Sequence, residues 1–157
     1  MVSRMRLSRP ALILTLLVLA AGKPLPAPTQ GRVWQADIQV RTLEITKTKT
    51  NMSARVVVYT ERNDDARDAR LLILLPVGVG IERLGPGCTA SAGPSMVPAL
   101  RAMVLCNLGV IENGAYREVV ITTTLPAEPL PKRFGVFTYS STPDPAPGNN
   151  YAERTIP

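Results

Sequence analysis

Residue types that could carry chemistry are few in this chain of 157 residues, which contains no histidine. That absence excludes Ser-His-Asp and Cys-His catalysis, histidine-ligated zinc and histidine proton shuttles. The densest group of acids is Asp64, Asp65 and Asp68, which is interspersed with Arg67 and Arg70. Because turns favour aspartate for backbone reasons, we interpret this group as a solvated hairpin tip and predict no catalytic residue and no enzyme activity.

The same acids, or Asp144 together with Asn149 and Asn150, supply oxygen atoms of the kind that calcium prefers. Their spacing matches no known calcium-binding loop, which supplies roughly six to eight oxygen ligands. We therefore predict no metal site and no cofactor. A lysine–asparagine isopeptide cross-link would need a lysine beside a terminal asparagine and a buried acid. The sequence leaves that adjacency open.

The first 22 residues have the pattern of a secretory signal peptide. Arg4, Arg6 and Arg9 precede an apolar run over residues 11–21, and small residues follow. This run is shorter than the roughly 20 residues that a membrane-spanning helix needs. Cleavage after residue 20, 21 or 22 would fit. We predict export to the periplasm, cell surface or medium, with no membrane insertion after cleavage.

Only two cysteines occur, Cys88 and Cys106. In an exported chain they would meet an oxidising environment in which a disulfide persists, and no third thiol competes for pairing. We predict one disulfide between them. Two buried, unpaired thiols are the alternative.

The positive charge of the chain does not predict nucleic-acid binding. Three of the 18 basic residues lie in the leader and none of the 12 acids do, so the mature charge is 15 minus 12, or +3. Lys47 and Lys49 in TKTKT would project from one face of a strand, where they could contact an anionic ligand or discourage edge-to-edge aggregation. The few aromatic residues predict no platform of the kind that sugar readers use, and Trp34 is interpreted as a core plug or edge anchor.

Residues 23–33 carry three prolines and predict an extended linker, and residues 34–157 predict one domain. From Trp34 on, apolar residues recur with period two and turns are frequent, which indicates an all-β chain. A change of parity predicts a bulge near Thr42 in the first strand. The run RLLILLP, at 70–76, predicts a strand covered on both faces. About seven or eight short strands predict a two-sheet antiparallel sandwich.

The predicted β-sandwich is accompanied by a resemblance to a known family, which several motifs carry in the same order. The chain resembles the bacterial domain-of-unknown-function 11 family in four motifs, which occur in the order YTERNDDARDARLLILLPVGVGIERL, GPGC, VLCNLGVIENGAYREVVITT and VFTYSSTPDPAPGNNYA. That family implies an immunoglobulin-like β-sandwich in exported and cell-surface proteins. The likeness covers about residues 37–154. The chain departs from the family's pattern at residues 63–66, where an Asn-x-Gly-Pro turn is usual.

The resemblance assigns further positions. It implies that residues 76–78 form the turn after the third strand, that Cys88 and Cys106 are the family's cysteine pair, and that residues 108–109 are its Leu-Gly step. Asp144, Pro145, Asn149 and Asn150 look like its terminal turn. Proline presets φ and asparagine bonds to turn backbone, so we interpret this turn as a structural clasp for a final edge strand.

Two functions follow from these observations. The first is a non-enzymatic, immunoglobulin-like structural or interaction module of the bacterial envelope, which binds another envelope or secreted protein through a sheet face, loops or an edge strand. The alternative is a small periplasmic protein that binds an anionic envelope ligand through Lys47, Lys49 and nearby arginines. Neither identifies the binding residues.

Overall fold

A computed structural model of the chain describes residues 31–61, 64–76, 78–91, 102–126 and 132–156. The predicted signal peptide and residues 23–30 of the predicted linker lie outside these ranges. Within the ranges, no helix has the length and hydropathy to cross a membrane. The elements are a short 3₁₀ helix at Pro147–Asn149 and the strands β1 (Asp37–Lys47), β2 (Asn51–Glu61), β3 (Ala66–Leu74), β4 (Ile81–Arg83), β5 (Cys88–Ser91), β6 (Met103–Ile111), β7 (Tyr116–Thr124), β8 (Lys132–Tyr139) and β9 (Tyr151–Ile156).

The strands form two antiparallel sheets. The four-stranded sheet has the order β1-β2-β7-β4, and the five-stranded sheet has the order β5-β6-β3-β8-β9. The first order corresponds to A-B-E-D of an immunoglobulin domain, and β3-β8-β9 corresponds to C-F-G. This confirms the predicted immunoglobulin-like β-sandwich. The described residues contain nine strands rather than seven or eight, because β4 and β5 are strands of only three and four residues.

The core lies between the sheets and follows the period-two pattern. In β2, Ala54, Val56, Val58 and Thr60 are all buried, as their shared parity predicts. The five-stranded sheet contributes its own inward rows. Buried core side chains of that sheet include Leu71, Ile73, Val104, Cys106, Phe134, Val136 and Ile156.

Two predictions about individual strands have different outcomes. The bulge in β1 is confirmed, because the β1–β2 register shifts between Val40 and Thr42. The prediction that residues 70–76 are covered on both faces is wrong. Leu71 and Ile73 are buried, whereas Leu72 and Leu74 are only half-buried. The reason is that their side of the five-stranded sheet is its outer face.

The disulfide joins two neighbouring strands of one sheet. Cys88 stands directly opposite Cys106 in the β5–β6 register, and the two residues are bonded. This confirms the predicted pairing. The bridge therefore staples the β5–β6 hairpin at one edge of the five-stranded sheet, unlike the inter-sheet bridge of antibody domains.

Replacing both cysteines in a Cys88→Ala/Cys106→Ala variant will lower the free energy of unfolding by about 3 kcal/mol, because the bridge closes a loop in the unfolded chain. Urea denaturation followed by circular dichroism measures the change. A loss below about 1 kcal/mol would show that the hairpin needs no covalent staple.

Gly87 and Gly114 offer a matched test of close packing beside β5. Both have a positive φ, at +71° and +77°, but a Cβ on Gly87 would lie 2.7 Å from the carbonyl oxygen of Asn107, while one on Gly114 meets nothing within 4 Å. In both alanine variants the left-handed backbone conformation destabilises the folded state by about 1–2 kcal/mol, because alanine has a Cβ. We expect Gly87→Ala to lose at least about 1 kcal/mol more than Gly114→Ala in urea denaturation, since overpacking adds to that cost. Equal losses would contradict the close approach.

Candidate functional site

Three aromatic side chains lie together on the outer face of the five-stranded sheet. Phe137 and Tyr139 are two residues apart on β8, so they share a face, and Tyr151 stands directly opposite Phe137 on β9. Their exposed fractions are 37 %, 38 % and 48 %. The ring centroids of Phe137 and Tyr139 lie 6.0 Å apart with 23° between the planes. We call Phe137, Tyr139 and Tyr151 the aromatic face.

The ring of Tyr151 is held close to the sheet because its diagonal neighbour is a glycine. An ideal Cβ on Gly135 would lie 3.3 Å from the Tyr151 hydroxyl oxygen and 3.6 Å from its Cε2 atom. The ring therefore extends across the position that a side chain at residue 135 would occupy. Aromatic residues cover strand glycines in this way and restore packing that glycine lacks.

A carboxylate fixes the far end of that ring. The Tyr151 hydroxyl donates a hydrogen bond of 2.7 Å to Oε2 of Glu153. The other carboxylate oxygen, Oε1, pairs with Nη1 of the exposed Arg133 at 3.2 Å. Tyr151, Glu153 and Arg133 thus form a chain of contacts that holds the ring and places a donor and an acceptor beside it.

Leucines continue the aromatic face across the sheet. Leu72 stands opposite Leu105 on one side and opposite Phe137 on the other. Both leucines are half-buried. The row Leu105, Leu72, Phe137 and Tyr151 therefore crosses β6, β3, β8 and β9. The result is a continuous apolar strip on an outer sheet face.

The prediction of no aromatic platform did not anticipate this arrangement. The spacing of Phe137 and Tyr139 within β8 was a readable signal, since residues two apart in a strand share a face. The place of Tyr151 depends on the β8–β9 register, which the loop between them sets.

The outer face of the four-stranded sheet is different, because charge pairs dominate it. Arg55 donates to Glu118 at 2.7 Å and to Glu44 at 3.2 Å. Tyr59 pairs across strands with Tyr116, and the guanidinium of Arg41 lies 4.8 Å from the Tyr59 ring centroid. Arg55 and the two glutamates are exposed and partner one another, and Arg41 covers the half-buried Tyr59, so these groups form a largely solvated network.

The predicted solvated tip is wrong for Asp64, whereas Asp65 and Asp68 are exposed as predicted. The Asp64 side chain is buried and accepts hydrogen bonds from the Arg32 side chain at 2.5 Å and the Gln35 amide at 2.9 Å. Asp65 accepts a bond from the Asn113 amide, and Asp68, at φ +48°, accepts one from Ser141. Burial of Asp64 is tolerated because the arginine compensates its charge.

Trp34 is not a core plug. It is 54 % exposed, with the guanidinium groups of Arg32 and Arg67 at 4.8 and 5.5 Å from its ring centroid. The segment before β1 is nevertheless attached to the domain, since the Ala36 amide donates to the carbonyl of Pro143. Trp34 and Arg32 therefore belong to a strap across the end of the sandwich.

Lys47 and Lys49 do not project from one strand face. Lys47 ends β1, and Lys49 lies in the turn before β2. The hydroxyl of Thr48 accepts bonds from the amides of Thr50 and Asn51 and closes the turn. That local capping ends the strand before the second lysine.

The terminal turn bonds to the start of β1. The Asp144 carboxylate accepts hydrogen bonds from the amides of Ala146 and Ile38, at 2.7 and 3.3 Å. Asn149 donates to Asp37 at 2.8 Å, and the carbonyl of Asn150 accepts from Thr138 of β8. Pro145 lies between these contacts. The role of Asp144, Pro145, Asn149 and Asn150 as a clasp stays a prediction, and these distances describe what it would hold.

The described ranges contain no group of three or more acids or cysteines able to hold a metal ion. The buried acids Asp37 and Asp64 both take part in hydrogen bonds to side chains. The aromatic face combines exposure and continuity across strands with hydrogen bonds that fix one of its rings.

Comparisons with known proteins concern architecture. No protein-family model and no curated protein matches the chain, and its membership in the domain-of-unknown-function 11 family stays a prediction. An immunoglobulin-like protein from Nocardia farcinica is similar at 15 % identity and a TM-score of 0.45, over 78 % of this chain and 97 % of that one. The chitin-binding domain of Chi18aC from Streptomyces coelicolor is similar at 13 % identity and a TM-score of 0.42, over 64 % and 90 %.

A third similar structure is a β-N-acetylglucosaminidase from Vibrio harveyi. It matches at 8 % identity and a TM-score of 0.34, over 80 % of this chain but only 18 % of that one. At such identities and scores these neighbours carry no argument about what this chain binds.

The hydrogen bond from Arg55 lowers the pKa of the Glu118 carboxyl below its ordinary value, and the pairing raises the pKa of Arg55. A lowered folded-state pKa stabilises the fold above the unfolded value of about 4.3, and this contribution is lost as the pH falls through the folded pKa. We expect carbon-detected NMR titration to place the pKa of Glu118 below that value and Arg55→Gln to raise it. A Glu118 titration that does not respond to Arg55→Gln would contradict the pairing.

Proposed function

We propose that this chain is an exported, non-enzymatic binding module that engages an envelope or secreted partner through the aromatic face. The carrying observation is the apolar strip of Leu105, Leu72, Phe137 and Tyr151, which lies exposed or half-buried across four strands. Contiguous exposed apolar patches on soluble domains mark interaction sites, and aromatic residues are enriched there.

The non-enzymatic part of the proposal has chemical support. The chain has no histidine to act as a general base. The acids that the fold buries are engaged in hydrogen bonds that hold elements together, as in Asp64 with Arg32 and Gln35. A nucleophile without a neighbouring base is weak at neutral pH.

The exported part rests on the leader pattern and the disulfide. Disulfides persist in oxidising compartments, and the bridge between Cys88 and Cys106 suits one. The alternative, an anionic ligand on Lys47 and Lys49, loses support because the two lysines do not share a strand face.

The test is retention of envelope components on the immobilised chain, purified after export. We expect the wild-type chain to retain a component that a Phe137→Thr/Tyr139→Thr variant binds at least tenfold less, since both replacements keep β-propensity and remove the rings. Tyr116→Thr is the matched control, because Tyr116 is 61 % exposed on the opposite sheet. Retention is quantified separately for protein and for carbohydrate.

Two outcomes would overturn the proposal. One is equal retention by the wild-type chain and the Phe137→Thr/Tyr139→Thr variant. The other is a loss of retention in Tyr116→Thr as large as in that variant. Melting temperatures of all three proteins establish that each is folded.

A further inference from the structure

We propose that Asn113 is a site of deamidation, whose reaction the fold restrains through hydrogen bonds from the β6–β7 turn to Thr60 and Asp65. The modification converts the asparagine amide to a carboxyl group, as aspartate or isoaspartate, without an enzyme. This inference is independent of the proposed binding function.

The first step is the dipeptide Asn113–Gly114. Asn113 is the only asparagine of the chain that a glycine follows. Deamidation requires the next backbone nitrogen to reach the side-chain carbonyl carbon, and glycine has no side chain to hinder that approach. Both residues are exposed in the turn between β6 and β7, so water has access to the reacting atoms.

The reaction balances without a cofactor. The Gly114 nitrogen loses its proton to hydroxide and attacks Cγ of Asn113. A carbon–nitrogen bond closes a succinimide ring, the bond from Cγ to the side-chain nitrogen breaks, and that nitrogen takes a proton from water and leaves as ammonia. Water then opens the imide at either carbonyl carbon. The products are aspartate and isoaspartate, and nothing is oxidised or reduced.

The fold holds the nitrogen that must attack. The Gly114 N–H donates a hydrogen bond of 2.9 Å to the carbonyl oxygen of Thr60, near the end of β2. A hydrogen bond to the protonated form of a group disfavours loss of its proton. The attack therefore requires this bond to break first.

The geometry of the turn adds to that restraint. The Ala115 amide donates to the carbonyl of Glu112 at 2.9 Å, and the Thr60 amide donates to the carbonyl of Ala115 at 3.1 Å. Gly114 has φ +77°, whereas Asn113 has no positive φ, which is the pattern of a type II turn. The peptide group between them lies at the centre of the turn, so its rotation toward the Asn113 side chain breaks the bond to Thr60.

A carboxylate from a different turn supplies the second restraint. Oδ1 of Asp65, between β2 and β3, accepts a hydrogen bond of 3.0 Å from the Asn113 amide. The position of Asp65 is fixed in turn, because its carbonyl accepts a bond of 2.9 Å from the Thr142 hydroxyl. Hydrogen bonds to charged groups are among the stronger ones. Asp65 thereby lowers the population of the open turn.

Modification would loosen the same turn. A carboxylate at residue 113 would lie near the charges of Asp65 and Glu112, and like charges at close range repel. Isoaspartate also lengthens the main chain by a methylene group, which disturbs the bonds that Gly114 and Ala115 make with Thr60. Deamidation therefore weakens the restraint that slows it.

Mass spectrometry of the full chain, purified after export and incubated in mildly alkaline buffer, tests the inference. Peptide fragmentation identifies the modified asparagine and separates isoaspartate from aspartate. We expect Asn113 to be the main deamidated residue and to react at least tenfold more slowly in the folded chain than in guanidinium chloride, because the turn must open before the reaction. Asn113→Gln should lose the signal at this position.

Two variants separate the local restraint from a general loosening of the fold. Asp65→Ala removes the acceptor of the Asn113 amide, and we expect deamidation at least threefold faster in the folded chain and unchanged in guanidinium chloride. Glu153→Ala is the matched control, since it removes a carboxylate with two partners at the β8–β9 edge. It should leave the rate at Asn113 unchanged. Hydrogen exchange of the Gly114 amide should rank the variants in the same order.

Any of four results would overturn the inference. They are equal rates at Asn113 in the folded and unfolded chains, a different asparagine as the main site, a rate in Asp65→Ala equal to that of the wild-type chain, and equal acceleration in Asp65→Ala and Glu153→Ala. Circular dichroism and melting temperature verify that each variant is folded, and the comparison of folded with unfolded wild-type chain needs no variant.

Discussion

Apolar contact between the inward faces of the two sheets is the interaction on which the other features depend. Val56 and Val58 on one sheet and Leu71, Ile73 and Val136 on the other are fully buried. Burying one such side chain contributes about 1.5–3 kcal/mol. Because the side chains of a strand alternate, fixing the inward residues also fixes which residues face water. The buried Val136 thereby turns Phe137 outward.

Local constraints then refine the surface that the core sets. The disulfide holds the β5–β6 hairpin, which extends the five-stranded sheet beyond β3. At the other edge, Gly135 leaves room for Tyr151 to lie on the sheet, and Glu153 fixes the ring. A glycine in a strand interior weakens the strand, because it has no side chain to pack. At Gly135 the ring of Tyr151 takes that place. The aromatic face is thus a product of both the alternation and one missing side chain.

Some of this was readable from the sequence and some was not. Signals that lie within one strand or one pair of residues predicted the fold correctly. They are the shared parity of Ala54, Val56 and Val58, the bulge near Thr42 and the disulfide. Contacts between distant segments were not readable. The bond between Arg32 and Asp64 joins side chains 32 positions apart. The environment of Leu72 and Leu74 depends on which strands lie beside β3.

The candidate site illustrates the same division. Phe137 and Tyr139 share a face by spacing alone, whereas Tyr151 joins them through a register set by the intervening turn. The measurement that tests the account most directly is nuclear Overhauser spectroscopy of Tyr151 and Gly135. A ring held over the glycine predicts cross-peaks between the Tyr151 ring protons and the Gly135 α-protons, with those α-protons shifted by the ring current. Absence of both effects in the folded protein would contradict a fixed aromatic face.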